Sequence, residues 1–450
     1  MKLRYTLPFI FSALLFSCND SEILDANSAN NAASIQLSNQ LEFPADDGAL
    51  ELTGTEGEKV NTLLKVFGAN IPNAVYSQSD FNKPTEEQLA VIKEEADKIV
   101  KDCNTTYEKY EALYKWVHEN VEYNHSNTWV SNSAWDTFTK RLAICQGYAE
   151  LLNAMLYTQD IVNVLANGKY KSGEQVYGHA WNYVKVDDTW YLSDATNLIS
   201  HKASEPGYNF IPTDLSCTLC EDDHFIYNYN RGEINVQAIK DASEQLVVPF
   251  SVSGYKVTKF KPTVLWINTG EVDPYGSPIF KSTKFDTVTD LYIGKNIKSI
   301  ASFEDGENTE LTEIFPNLKN IYVDPENTSL TSKTGVIYTI ENGKYIVRAI
   351  APKVERIELM PMEIVDKECN LSFLDELQVL VLDASTYLLA STSIIGCPKL
   401  YEVHVPAGCW IEDMAIYKNG DESNDWANID CNNTVNFIEF TPTSVEQIKY

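Results

Sequence analysis

Two stretches before residue 120 carry apolar residues at helical spacing. In the first, Thr85 and Gln88 form a capping box at the start of an apolar face. That face consists of Leu89, Ile92, Ala96 and Ile99. Thr105 and Glu108 begin the second stretch in the same way. The pattern predicts two helices that pack on a core.

A third helix is predicted to begin near Cys145, because apolar residues again follow at helical spacing. They are Leu151, Leu152, Met155 and Leu156. From His179 to Val186 the pattern changes to alternation, and an aromatic-rich stretch resumes at Thr189 after Asp187-Asp188. This change predicts an antiparallel hairpin with a tight turn.

The second half of the chain, from about residue 248, favours short strands. An apolar phrase recurs there as Leu291-Tyr292-Ile293, Ile321-Tyr322-Val323, Ile357-Glu358-Leu359, Leu380-Val381-Leu382 and Val403-His404-Val405. The third residues of successive phrases are 30, 36, 23 and 23 positions apart. Repeats near this length predict a solenoid whose stacked strands bury one shared core. An ordinary β-sandwich is the alternative, which the similar lead-ins to the phrases disfavour.

Cys145, His179 and Asp194 are the candidate catalytic residues. A cysteine at a helix start lies near the positive end of the helix dipole, which favours the thiolate, and its N–H can face an oxyanion. A thiol nucleophile also needs a base, and the base needs an acceptor that orients it. On the predicted hairpin, His179 and Asp194 lie near the open ends of adjacent strands. Singly, Cys145 and His179 would be taken for ordinary core and strand residues, whereas the three together favour catalysis.

The sequence around these residues resembles the transglutaminase-like superfamily, a papain-related fold with Cys, His and Asp in this order. The matching pieces are Cys145-Gln146-Gly147-Tyr148-Ala149, His179-Ala180-Trp181-Asn182 and Trp190-Tyr191-Leu192-Ser193-Asp194-Ala195-Thr196. The resemblance implies that Cys145 attacks an amide carbonyl, His179 transfers the proton and Asp194 orients His179. Water as the acceptor gives hydrolysis and an amine gives crosslinking, and the sequence leaves both open.

Two residues depart from the pattern of that family. Ala143 stands two residues before the cysteine, where the family often has Gly. Asn197 stands where the family often has Trp after Asp-x-Thr. Neither departure removes a catalytic group, and both concern the surroundings of the substrate pocket.

The stretches from Leu318 to Asn327 and from Thr334 to Tyr338 resemble the BspA-type leucine-rich repeats of bacterial surface proteins. This resemblance covers about Asp290 to Gly408. Because a solenoid offers an extended binding face, it implies a recognition or adhesion module that binds a surface protein or a glycan.

The first residues are typical of a secretory signal. Lys2 and Arg4 precede an apolar run that is too short to span a bilayer. The run ends in Leu14-Leu15-Phe16-Ser17-Cys18, which resembles a bacterial lipobox. We therefore expect acyl chains on Cys18 to anchor an exported protein to the bacterial membrane, at the outer membrane or cell surface. A plain signal peptide with an incidental cysteine is the alternative.

Composition narrows the range of partners. The formal net charge of −29 argues against nucleic acid as a partner.

Cys217 and Cys220 are interpreted as a loop pair able to form a disulfide, since a zinc site would need two further ligands close by. No cofactor and no metal are predicted.

Together these patterns predict an α+β protein, with a papain-like transglutaminase core and N-terminal helices followed by a β-rich leucine-rich-repeat solenoid. The expected segments are a signal peptide (1–17), a flexible tether (18–55), the transglutaminase-like domain (56–245) and the repeat domain (246–450). The expected function is cysteine-dependent acyl transfer on a protein or peptide substrate, as a protease, amidase or acyltransferase. The alternative is a non-catalytic adhesin in which the transglutaminase-like domain is structural.

Overall fold

The computed structural model describes residues 48–71, 73, 83–126, 130–205, 209–262, 266–272, 278–282, 284–300, 311, 314–413, 415–417 and 435–441. Side chains of 266–272 and 278–282 are not described. The predicted signal peptide, Cys18 and nearly all of the predicted tether lie outside these residues and stay predictions. Within the described ranges, no helix is both long enough and apolar enough to cross a membrane.

Helices dominate the first third of the described chain. They are α1 Glu56–Phe67, α2 Glu86–Ile99, α3 Thr106–Asn120, α4 Ala134–Lys140 and α5 Cys145–Thr158, with a short 3-10 helix at Lys367–Cys369. The predicted starts of α2, α3 and α5 are confirmed, and Thr85 and Thr105 form the expected capping boxes. Helix α1 was not predicted, although Thr55 and Glu58 form a capping box at its start too.

Strands dominate the remainder. The first group is β1 Glu122–Tyr123, β2 Leu142–Ala143, β3 Asn163–Ser172, β4 Gln175–Val186, β5 Thr189–Asp194, β6 Ile199–Lys202, β7 Phe210–Ser216, β8 Cys220–Glu221, β9 Phe225–Asn230 and β10 Glu233–Ile239. The second is β11 Gln245–Val248, β12 Ser251–Val252, β13 Tyr255–Lys256, β14 Lys259–Phe260, β15 Trp266–Val272, β16 Pro278–Ser282, β17 Asp290–Ile293, β18 Ser299–Ile300 and β19 Asn320–Val323. The third is β20 Leu330–Lys333, β21 Val336–Glu341, β22 Lys344–Ile350, β23 Arg356–Glu358, β24 Ile364–Val365, β25 Val379–Val381, β26 Leu388–Leu389, β27 Ile394–Ile395, β28 Glu402–Pro406, β29 Trp410–Ile411, β30 Ile416–Tyr417 and β31 Asn436–Phe440.

An antiparallel five-stranded sheet, in the order β6-β5-β4-β3-β7, carries the predicted hairpin. Strands β4 and β5 pair from Val186 and Thr189 outward, so the turn is the two residues Asp187 and Asp188. Asp187 has φ 52°, the left-handed conformation that tight hairpin turns require. The hairpin prediction is confirmed.

Helix α5 lies against this sheet and is fastened to it by a buried amide. The Asn182 side chain on β4 donates to the Ala149 carbonyl of α5 at 3.1 Å. Because Asn182 is fully buried, this bond fixes the helix that begins at Cys145 against the strand that carries His179. A second core is formed mainly by α2, α3 and α5, and it includes Val184 and Val186 of β4.

The recurring phrases of the second half become neighbouring parallel strands. One ladder is β11-β17-β19 and another is β23-β25-β28-β31, each parallel and in register. Further parallel pairs, β24-β26-β29 and β27-β30, run through the same repeats. Between β19 and β23 the antiparallel sheet β20-β21-β22 is inserted, which explains the longer spacing of 36 residues between those two phrases.

The predicted boundary near residue 245 is crossed by a sheet. Strand β10, before the boundary, pairs in parallel with β14, after it, so that Val236 lies beside Phe260. The main hydrophobic core is likewise continuous, from Val60 of α1 to Val435 next to the last strand. The described residues all belong to one compact unit, Pro44–Tyr450.

Candidate active site

Cys145 is the first residue of α5, and the helix start around it is tightly packed. Ile144, the N-cap residue, has no side-chain cap, and its own N–H donates to Asn132 Oδ1 at 3.2 Å. A Cβ atom placed on Gly147 would lie 2.5 Å from both the Ala143 Cβ and the Thr137 Oγ1. Glycine at 147 is therefore what lets α5 begin directly against β2. The departure at Ala143 is accommodated here, as its buried methyl group fills the space beside Gly147.

His179 and Asp194 form the expected hydrogen bond across the hairpin. His179 Nε2 lies 2.9 Å from Asp194 Oδ2, and the side chains are 8% and 0% exposed. Since Nε2 is engaged with the carboxylate, Nδ1 is the ring nitrogen left for Cys145. A buried acceptor at this position fixes the tautomer of the histidine and stabilises its cation.

Asp194 is itself held by three donors besides the histidine. Its Oδ1 accepts the backbone N–H groups of Thr196 at 3.0 Å and Asn197 at 3.4 Å. The Asn197 side chain also donates to Oδ2 at 2.8 Å. Asn197 thus fixes the very oxygen that binds His179. The sequence marked this residue only as a departure from the family pattern.

An aromatic enclosure surrounds the imidazole of His179. The ring centroids of Tyr170, Trp181 and Phe210 lie 5.5, 6.1 and 5.9 Å from the His179 ring. These rings exclude water from one side of the imidazole, which strengthens its electrostatic interactions with Asp194 and Cys145.

The surroundings of Cys145 and His179 favour a thiolate–imidazolium pair. Burial acts to raise the pKa of the Cys145 thiol, but the hydrogen bond and charge of His179, with the Ala180 and Gln146 N–H groups, hold that pKa below its ordinary value. Burial acts to lower the pKa of His179, but Asp194 and Cys145 outweigh it and raise the pKa to about 9. Both shifts favour the proton on the imidazole and the negative charge on the sulfur, the form of a thiol that is able to act as a nucleophile.

Tyr123 is a residue of the site that the sequence did not single out. Burial raises the pKa of its phenol, with a further contribution from the nearby Cys145 and Asp194 charges, and the Cys145 backbone N–H donates to its oxygen. The Tyr123 hydroxyl and the Cys145 N–H therefore meet beside the sulfur. Its only signal in the sequence was its place in Val121-Glu122-Tyr123, ahead of the cysteine helix.

The other described cysteines lack these surroundings. Cys217 and Cys220, the pair interpreted as able to form a disulfide, are both free thiols. Burial raises the pKa of each to about 12. Among the described residues, no group of His, Cys, Asp and Glu side chains is arranged to hold a metal ion.

A cavity of 580 Å³ lies between α1 and the five-stranded sheet. Its lining includes Asn61, Tyr183 and Phe210, but none of the three candidate catalytic residues. Phe210 lines the cavity and also lies against the His179 ring, with 5.9 Å between the ring centroids. The cavity therefore adjoins the candidate catalytic residues without including any of them.

Residues 93–195 match the family model described as the transglutaminase-like superfamily. The match includes Cys145, His179 and Asp194, and this part of the chain is a transglutaminase-like domain. No curated protein gives a significant match to the sequence.

Solved structures overlap with this chain in part. A protein assigned as a cysteine protease from Cytophaga hutchinsonii is 26% identical over 27% of this chain and 44% of its own, with a TM-score of 0.24. The periplasmic domain of TgpA from Pseudomonas aeruginosa is 20% identical over 26% of this chain and 46% of its own, with a TM-score of 0.23. A leucine-rich cell surface protein from Faecalibacterium prausnitzii is 12% identical over 50% of this chain and 95% of its own, with a TM-score of 0.21. This chain spans less than half the length of the first two proteins. Because all three TM-scores are low, only the family match is used in the argument about function.

Proposed function

We propose that this protein is a cysteine-dependent acyl-transfer enzyme that acts on amide bonds of a protein or peptide. The arrangement of Cys145, His179 and Asp194 is the observation that carries the proposal. A thiol at a helix start, a histidine in contact with it and a buried carboxylate behind the histidine form a complete nucleophile, base and orienting group.

In the proposed first step, the Cys145 sulfur attacks the amide carbonyl carbon and forms a C–S bond. The carbonyl oxygen becomes an oxyanion, takes the place of the Tyr123 oxygen at the Cys145 N–H, and accepts hydrogen bonds from that N–H and from the Tyr123 hydroxyl. His179 gives its proton to the leaving amine as the C–N bond breaks. A thioester on Cys145 and a neutral histidine remain.

In the second step, His179 takes a proton from the acceptor as the acceptor attacks the thioester. Water releases a carboxylic acid, whereas a primary amine forms a new amide bond. The thiolate is then restored and the imidazolium with it. Both outcomes use the same acyl-enzyme, so the two activities are distinguished by the acceptor.

The remaining segments support a recognition role outside the cell. We propose that the parallel ladders of the second half form the leucine-rich-repeat solenoid and bind a surface protein or glycan. We also propose that the chain is exported and held to the bacterial membrane by lipid on Cys18.

Replacing Cys18 by serine should release the protein from membranes, as a serine cannot form the thioether to lipid.

Alkylation by iodoacetamide tests the proposed nucleophile. Cys145 should be labelled first and should stay reactive well below pH 9, the ordinary pKa of a thiol, because its thiolate is paired with His179. Cys217 and Cys220 are internal controls, since the pKa of each is raised to about 12. His179→Ala should move the labelling of Cys145 to higher pH.

Labelling of Cys217 ahead of Cys145 would reject the mechanism. Retention of amide-bond activity in Cys145→Ala would reject it as well. A protein that binds a partner through residues 290–408 but shows no reaction at Cys145 would support the adhesin alternative.

A further inference from the structure

Strand β4 is paired on both sides along only part of its length. It pairs with β3 continuously from Gln175 to Val184. On its other side, the pairing with β5 covers only Asn182–Val186. Among the described residues, the part of β4 from residue 175 to 181 therefore has a strand on one side and none on the other.

The hairpin turn decides which backbone groups face the unpaired side. A two-residue turn makes Val186 and Thr189 a hydrogen-bonded pair, and such pairs then recur at every second residue. The N–H and C=O groups of even-numbered residues on β4 thus point towards β5 or the space beyond its end. The same argument applies to the two-residue turn between β3 and β4, where Ser172 and Gln175 form the hydrogen-bonded pair. The odd-numbered residues of β4 therefore bond to β3.

The open edge of β4 therefore presents the backbone groups of Val176, Gly178 and Ala180, and it leads to the nucleophile. The Ala180 N–H is a hydrogen-bond donor to the Cys145 sulfur. Cys145 packs against Ala180, two residues beyond Asn182, where the pairing of β4 with β5 ends. At Gly178 a Cβ atom would meet nothing within 4 Å, and Val176 is 52% exposed. The edge is consequently exposed from residue 176 to 178, and it leads to the buried Ala180 beside the sulfur.

We propose that this edge binds the substrate as an added strand, so that the substrate class is a peptide segment in extended conformation. The substrate backbone would bond to Gly178 and Val176 while its reacting carbonyl lies at Cys145. Unpaired strand edges bind extended peptides through main-chain hydrogen bonds. This inference rests on the proposed function, because it takes Cys145 as the nucleophile.

The position of the edge favours a substrate over a second copy of this chain. An edge that pairs two copies needs several consecutive open positions, whereas this one offers two residues before it reaches a reactive sulfur. A peptide whose carbonyl must stop at Cys145 needs no more than that. Self-association through the edge is the outcome that would contradict this assignment.

Peptidyl chloromethyl ketones of increasing length test the proposal on the full-length protein. The Cys145 thiolate displaces chloride from such a ketone and forms a C–S bond, which mass spectrometry detects. A ketone with four residues should alkylate Cys145 faster than one with a single residue. N-methylation of the four-residue ketone should slow alkylation about fivefold at alternate residues and leave the others unchanged, because each lost main-chain bond contributes about 1 kcal/mol.

Proline substitution tests the protein side of the same bonds. Val176→Pro removes one donor from the open edge and spares the β3–β4 ladder, which uses odd-numbered residues. It should lower the four-residue rate about fivefold and the single-residue rate much less. Tyr177→Thr is the matched control, since it removes an exposed side chain of the same segment while its backbone bonds to β3.

The outcomes separate this inference from the proposed function. Equal rates for long and short ketones, or N-methylation effects without alternation, would overturn the added strand while Cys145 still reacts with iodoacetamide. A dimer that dissociates in Val176→Pro would assign the edge to a second copy and overturn it as well. A Cys145 inert to iodoacetamide would overturn the proposed function and this inference together.

Discussion

At the scale of single residues, the site depends on a few buried hydrogen bonds. Asp194 is fully buried and its two oxygens accept bonds from His179, Asn197 and the Thr196 backbone. Tyr123 lies beside Cys145 without taking part in that chain of bonds. In the proposed mechanism, orientation of the base and stabilisation of the oxyanion therefore belong to different residues, and they can be tested separately.

Tyr123→Phe should impair the chemical step and spare the nucleophile. Loss of one oxyanion donor costs on the order of 100-fold in kcat, with little change in KM. Steady-state kinetics on an amide substrate would measure this, and iodoacetamide labelling of Cys145 would serve as the control because it forms no oxyanion. An equal loss in both assays would mean that Tyr123 supports the thiolate instead.

Asn197→Leu should weaken the base. Without the amide donor, Asp194 loses a bond at the oxygen that binds His179, and the imidazole is less well oriented. We expect kcat to fall about tenfold, the scale of loss seen when a residue that positions another functional group is replaced. The pH dependence of Cys145 labelling should change as well. Asn197→Gln keeps the amide and should recover part of the loss; a variant with wild-type kinetics and pH profile would show that Asn197 has no positioning role.

The shared proton of Cys145 and His179 also links stability to pH. Above the lowered pKa of Cys145 and up to about pH 9, the folded pair holds one proton, on the imidazole. The unfolded pair holds one proton between pH 6.5 and 9.0, on the thiol. Where these two ranges overlap the proton counts are equal, so this pair should contribute no pH dependence of stability there.

Cys145→Ala removes that compensation. His179 keeps its bond to Asp194, which acts to raise its pKa in the folded state. A raised histidine pKa contributes stability that is complete below pH 6.5 and is lost as pH rises through the folded value. Urea unfolding of the variant should therefore show stability falling with pH above 6.5, more steeply than in the wild type. Parallel pH curves for the two proteins would contradict the assignment of the proton.

At the scale of elements, the start of α5 depends on close contact with β2 and α4. Gly147 faces Ala143 and Thr137 at distances that no Cβ atom tolerates. Asn182 then fixes the same helix to β4 from the other side. These two contacts hold the start of α5, and with it Cys145, against β2 and β4.

Gly147→Ala should destabilise the protein by roughly 1–3 kcal/mol, the usual cost of an overpacked core position. It should also lower the labelling rate of Cys145, as the helix must shift away from β2. Gly57→Ala is a matched control in α1, where a Cβ atom meets nothing within 4 Å. Since alanine is the better helix former, this control should be neutral or slightly stabilising. Equal free energies of unfolding for the two variants would refute the packing argument.

At the scale of the whole molecule, the residues before and after position 245 share a sheet and a core. Val236 and Phe260 are neighbours in that sheet, and both are fully buried. Such continuity couples the unfolding of one region to that of the other.

Phe260→Ala should therefore lower the stability of the catalytic region as well as that of the repeats. The expected cost is about 3–5 kcal/mol for a large aromatic residue in a core. Thermal unfolding would be followed by protection of the Cys145 thiol and by far-UV circular dichroism. Both probes should report one transition shifted by the same amount, whereas a shift in only one probe would show that the regions unfold separately.

Local patterns in the sequence determined much of this protein. The capping boxes of α2 and α3, the start of α5 at Cys145, the two-residue turn and the order of the repeated strands all depend on residues within a few positions of each other. For that reason the hairpin could also predict that His179 and Asp194 lie close together. The proposal that Cys145, His179 and Asp194 are nucleophile, base and orienting group followed from the same local signals and the family resemblance.

Only the tertiary structure decided the contacts between residues that are distant in sequence. Tyr123 beside Cys145, Ala143 against Gly147 and Phe260 beside Val236 depend on how helices and strands pack, which periodicity does not encode. The role of Asn197 depends on the direction of one side chain after the strand ends. The open edge of β4 follows from where β5 stops pairing, and that is determined by the path of the chain beyond Asp194.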